Sequence, residues 1–196
     1  MKNKKTSKFN ILVMFLIASL VGGFLAVFSP KTAQLSSAEM MVERLLEEES
    51  TLLGDAHLKR EFVSYLVSMA KYHEFDPLLI LAIMKTESSF NPDARSHAGA
   101  LGLLQVKPIV AREIERVWDL KGVDIKKLMD PFVNVNMGIS YLSYLRTILG
   151  RDKARMLSGY NVGPTKVKSA GIYSTPYARK VLKIYAQFLK KYSPAA

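Results

Sequence analysis

Asp76-Pro77-Leu78-Leu79-Ile80-Leu81-Ala82-Ile83-Met84-Lys85-Thr86-Glu87 reads as one strongly apolar helix. Aspartate is a preferred cap, and proline in the first helical turn lacks a donor that would have no partner there anyway. Met84, Ile83 and Ile80 stand three, four and seven positions before Glu87. Helical spacing therefore sends the Glu87 carboxylate out from the face that should be buried. Apolar neighbours disfavour the charged form of a carboxyl and raise its pKa. Such a group holds a proton near neutral pH and can deliver it to a leaving group.

The same opening recurs at Asp130-Pro131 and Thr175-Pro176. The helices that follow carry apolar stripes Val135, Ile139, Leu142, Leu149 and Ala178, Val181, Leu182, Tyr185, Leu189. Upstream, Glu39–Glu49 is an amphipathic acidic helix with Met41, Val42, Leu45 and Leu46 on one side. Asp55 caps a helix to about Tyr72 with a stripe of Leu58, Phe62, Tyr65, Leu66 and Met69. Lys107-Pro108 opens another helix to about Trp118, and Asp152 a short one ending near Ser158. Gly150 and Gly171 are expected as C-terminal stops. Alternating polarity between hairpin turns is missing. Gly99–Val106 is the exception, a loop or a small strand. These signals predict a mainly α fold with at most a minor β element.

The chain has 196 residues, 49% hydrophobic and 23% charged, enough for one domain with its own core. It has no cysteine, which excludes disulfides, thiolate chemistry and Cys-based metal sites. Five lysines and no acid lie in residues 1–38, so the formal +11 less 5 leaves +6 for residues 39–196. The lysine-rich start and the eighteen uncharged residues Ile11–Phe28 read as an export leader. A cleaved signal has a shorter apolar core, while eighteen residues reach a spanning length, so we favour a retained anchor with the remainder outside. Three segments are expected: 1–38 as signal or anchor plus linker, 39–54 as a helical lead-in, and 55–196 as the catalytic domain. Scattered basic residues behind such a leader speak against nucleic acid and suit a polyanionic wall polymer or a solubilising surface. His57, His73 and His97 lack ligand spacing, so no metal is expected.

Four blocks stand in order. They are Glu87-Ser88-Ser89-Phe90-Asn91-Pro92, Ser96-His97-Ala98-Gly99-Ala100-Leu101-Gly102-Leu103-Leu104-Gln105, Asp130-Pro131-Phe132-Val133-Asn134-Val135-Asn136-Met137-Gly138 and Gly159-Tyr160-Asn161-Val162-Gly163-Pro164. Over roughly residues 65–190 this resembles the catalytic domain of soluble-type (SLT) lytic transglycosylases, a lysozyme-like, goose-type family acting on peptidoglycan. The resemblance implies a single lysozyme-like helical domain without a cofactor. Glu87 would be the sole catalytic acid and base. It would protonate the oxygen between N-acetylmuramic acid and N-acetylglucosamine, then take the proton of the muramic C6 hydroxyl as a 1,6-anhydro ring closes. Hydrolases instead need two carboxylates. Asp76 and Asp130 are better explained as caps and Asp93 as a turn residue.

By position the resemblance also makes Gln105 and Tyr160 contacts to substrate or to the catalytic carboxyl, since a tyrosine hydroxyl can donate to a carboxylate. Ser96 would help hold the sugar, and Asn161 would support the tyrosine loop. Two departures appear. Lys107 stands where methionine is common, placing a cation within reach of an acidic group on the peptide stem. Gly159 replaces the usual alanine and is expected to free the backbone. Asn134 is read as structural. The stripe of Tyr177, Tyr185 and Tyr192 is read as a packing face, with Tyr177 at a corner that could line the groove. The expected partners are peptidoglycan glycan strands and, if the leader is uncleaved, the cell membrane. A monomer in the cell envelope follows. A hydrolytic muramidase of the same fold and a non-catalytic wall-binding module remain open as rivals.

Overall fold

The computed structural model describes residues 35–50, 52, 54–118 and 124–193. The leader reading falls on residues outside this set, apart from the last few of its linker, as does the side chain of Trp118. No helix among the described residues is long and apolar enough to cross a membrane.

Helix α1, Ser37–Glu49, begins two residues earlier than expected because Ser36 and Glu39 form a reciprocal capping box. It buries Val42, Leu45 and Leu46 against α2, Ala56–Tyr72, which Asp55 caps. Helix α3, Pro77–Glu87, is capped by Asp76 and enters through Pro77. Every side chain from Leu78 to Met84 is buried, so α3 is enclosed all round rather than half-buried along a stripe. Each fully buried leucine or isoleucine there contributes about 1.5–3 kcal/mol. Helix α4 spans Pro108–Trp118, and a 3₁₀ turn occupies Ile125–Lys127. Helix α5, Pro131–Leu149, is the second buried rod and packs on α2, α4, α6 and α7. Helix α6 is Lys153–Val162, α7 is Pro164–Ser169 and α8 is Pro176–Tyr192. The most extensive helix pairing joins α3 to α8, so the rod that ends in Glu87 lies directly on the C-terminal helix.

Three expectations change, and the open alternative at Gly99–Val106 resolves to a loop. Helix α6 continues past Ser158 to Val162, putting Tyr160 and Asn161 on its last turn; Gly163, at φ +84°, is what stops it. Pro164 then starts α7, a helix the sequence reading did not contain. Gly99–Val106 forms no strand, only isolated bridges from Leu101 to Arg95 and to Val106. On α8 the buried stripe runs Ala178, Val181, Phe188, Tyr192, in alternating steps of three and four residues through the half-buried Tyr185, which leaves Leu189 exposed on its flank.

Candidate active site

The site is assembled by a loop that α3 launches and α5 fastens. Ser88, the C-terminal cap of α3, donates its hydroxyl to the carbonyls of Leu103 (2.8 Å) and Met84 (3.2 Å). The next two residues, Ser89 and Phe90, hold left-handed backbone at φ +53° and +64°, which reverses the chain sharply after Glu87. Asn134, fully buried on the first turn of α5, then ties the far end of the loop. Its side-chain amide donates to Leu101 O (2.8 Å) and Leu128 O (2.7 Å), and its Oδ1 accepts from the Leu104 N–H (2.8 Å). Gly102, at φ +72°, is required beneath it, since a Cβ there would come within 2.4 Å of the Asn134 amide.

A cavity of about 390 Å³ opens above this loop. Glu87, Ser96, Gln105, Lys107, Tyr160 and Asn161 all line it. These six come from α3, the loop and α6, more than seventy positions apart at the extremes. Glu87 is the only carboxyl among the described residues that line it. Asp76 and Asp130 accept from backbone N–H groups as helix caps, and Asp93 sits in a turn whose N–H bonds to Asn91 Oδ1.

The Glu87 side chain stays in place because the Tyr177 hydroxyl donates to its Oε1 at 2.6 Å. Burial pushes the Glu87 carboxyl above the ordinary carboxylate range. The hydrogen bond from Tyr177 and the charge of Lys180 pull the other way without cancelling it. The same burial, with the nearby Glu87 charge, drives the Tyr177 and Tyr160 hydroxyls well above their usual value, so both stay protonated donors.

Tyr160 lines the cavity without bonding the catalytic carboxyl. Its hydroxyl donates to Leu104 O at 2.7 Å, while its ring packs 5.3 Å from that of Tyr141. The donor to the carboxylate is Tyr177, from the helix start at Thr175-Pro176. Periodicity assigns Tyr177 to a packing face and its corner position marks it as able to line the groove, but the bond to Glu87 itself has no local sequence signal. Gln105, at φ +47°, turns its amide nitrogen onto Ala94 O (3.1 Å) and Gly102 O (2.9 Å). The Ser96 Oγ accepts from the Ala100 N–H at 3.0 Å. Asn161 and Lys107 are exposed on the rim. Gly159 does not free the backbone. It lies buried within α6, where an added Cβ would stand 2.4 Å from Leu149 Cδ1, so its small size serves helix packing.

The sequence profile of the Transglycosylase SLT domain matches residues 64–182, spanning every element from α2 to the first half of α8. The chain belongs to this family. Its SLT domain is 41% identical over 113 residues to the membrane-bound lytic murein transglycosylase C of Mannheimia succiniciproducens, across 53% of this chain and 32% of that protein. It is 30% identical over 131 residues to the soluble lytic murein transglycosylase of Escherichia coli K12, across 63% of this chain and 20% of that one. Among solved structures, an inactive mutant of the lytic transglycosylase Slt from Pseudomonas aeruginosa superposes with a TM-score of 0.59 at 27% identity, covering 65% of this chain and 24% of that one. The chain thus spans about a third or less of the length of these relatives. The architecture is the helical, lysozyme-like SLT fold.

Proposed function

We propose that this SLT domain cleaves the β-1,4 linkage between N-acetylmuramic acid and N-acetylglucosamine in peptidoglycan without water, leaving a 1,6-anhydro end. The observation that carries this reading is a single cavity carboxyl, its pKa raised by burial and its side chain aimed by Tyr177. Glu87 donates its proton to the glycosidic oxygen as the C1–O bond breaks and positive charge develops at C1. The carboxylate so formed removes the proton of the muramic C6 hydroxyl, whose oxygen bonds to C1. The acid is thereby restored, and no co-reactant is consumed. A hydrolase of either stereochemistry calls for a second carboxylate about 5–9.5 Å from the first. None lines this cavity among the described residues, which favours the intramolecular route.

In this reading Gln105 and Tyr160 shape the floor beside the acid, while Ser96, Asn161 and Lys107 meet saccharide or stem peptide from the rim. Names of relatives that include a membrane-bound lytic murein transglycosylase support work at the cell envelope, with residues 1–38 as signal or anchor, 39–54 as lead-in and 55–196 as catalytic domain.

Glu87→Gln tests the assignment. General acid–base catalysis is worth about 10²–10⁴ in rate, and turnover on purified wall should fall by that factor or more while glycan binding survives. Mass spectrometry of wild-type digests should show muropeptides lighter by one water than hydrolysed ones. Products carrying that water would establish a muramidase instead, and full activity in Glu87→Gln would reject the acid.

A further inference from the structure

Helix α5 presents a second cavity on its other side. Ser143 lies two residues from Tyr141, which lines the catalytic cavity, and at 3.6 residues per turn the two side chains point about 160° apart. The space between Ser143 and the C-terminal end of α2 is about 510 Å³, within the range of about 300–1,000 Å³ common for small-molecule sites.

Its walls are chemically specific. Tyr72, 80% exposed, stands at the mouth with its ring edge-on to His73 at 5.0 Å. Ser140 and Ser143 form the floor, only 3% and 5% exposed. The Ser140 hydroxyl reaches Asn136 Oδ1 at a long 3.4 Å. The Ser143 hydroxyl has no hydrogen-bond partner among the described residues, yet it is not a sealed, unsatisfied atom, so it opens into the cavity. Arg146 closes one end, its charge already met by Glu74 at 3.7 Å and its guanidinium 4.7 Å from the Phe75 ring centroid. Burial, reinforced by Arg146, holds the His73 imidazole below its usual pKa, so at neutral pH it offers one donor and one acceptor.

A mouth with an open aromatic ring, a floor with one unclaimed and one weakly bonded hydroxyl, and no unmatched charge suits a neutral polyol better than an ion. The C–H face of a sugar covers an aromatic ring, and its hydroxyl and acetamido groups need closely spaced donors and acceptors. We propose that this cavity is a second saccharide-binding site, taking N-acetylated amino-sugar units of the glycan on the side of α5 away from the cleft. The identity of the glycan rests on the function proposed above. Holding one polymer at two places raises the local concentration of further linkages at Glu87 and keeps the domain on insoluble substrate.

The test is an NMR titration of the full chain carrying Glu87→Gln with the tetramer of N-acetylglucosamine. Two groups of amides should shift, one around Tyr160 and Gln105 and one around Tyr72 and Ser143. Adding Tyr72→Ala, at an exposed position with little bearing on folding, or Ser143→Ala, which removes only the hydroxyl, should weaken the second group about tenfold and spare the first. Shifts confined to the cleft would overturn the second site and leave the proposed function standing. Shifts around Tyr72 alone would support the second site and count against the cleft as a glycan groove. No shifts in either place would overturn both, as would a second group unmoved by both variants for the second site.

Discussion

A carboxyl whose proton is held by burial has two pH signatures, and Glu87 should show both. In the folded chain its pKa is raised. Between the unfolded value and that raised value, the native state binds more protons than the unfolded one, so stability declines as pH rises through the window. The contribution is fully present below the unfolded value. Glu87→Gln removes the decline, and its melting temperature at pH 7 should equal or exceed that of the wild type in parallel thermal scans. Activity has the corresponding alkaline limb, since only the protonated acid begins the reaction. Tyr177→Phe deletes a bond that favours the charged form, so the limb in kcat/KM should move to higher pH, with a rate loss of about tenfold from poorer positioning. A purely structural tyrosine would leave the limb where it is.

Among the elements, the loop from Ser88 to Lys107 depends most on a residue outside it. Asn134 answers three backbone groups at 2.7–2.8 Å from complete burial. Asn134→Leu strands those groups at about 1–3 kcal/mol each, partly relieved by relaxation. Urea unfolding should show a loss of about 2–4 kcal/mol, with faster amide exchange at Leu101 and Leu104. Helix α1 is fastened differently. Glu49 lies 3.3 Å from both Lys85 of α3 and Lys191 of α8, and Lys191 holds the exposed Glu48 carboxyl down to about 2. These are exposed pairs that salt screens, so the packing of Val42, Leu45 and Leu46 does most of the anchoring.

For the whole molecule, charge is the widest-ranging property. The cleft rim carries Lys107, and Lys107→Met should reduce the salt dependence of KM on peptide-bearing strands and leave product chemistry unchanged. Equal kinetics across salt concentrations would remove Lys107 from substrate contact. How much could be read beforehand follows from range of interaction. Caps and apolar stripes are local, so Asp55, Asp76, Asp130, Asp152 and Thr175 announce their helices, and each accepts from its first-turn N–H groups. Helix α7 and the end of α6 escaped notice because their boundary depends on the backbone angle of Gly163, which composition alone does not reveal. The bond from Tyr177 to Glu87 is illegible for another reason: the partners stand ninety positions apart, and no periodicity spans that gap. The six cavity residues could be gathered only through block order, since helix packing alone draws them together.

The knot at Asn134 separates two duties that many binding loops combine. Leu101 and Leu104 are anchored from beneath, whereas the exposed His97 and Ala98 take no part in that knot. Mutational drift, or a protein engineer, can therefore rewrite the outward stretch to suit a different wall chemistry without unseating the acid. The scaffold is in that sense a fixed chassis with an exchangeable grip.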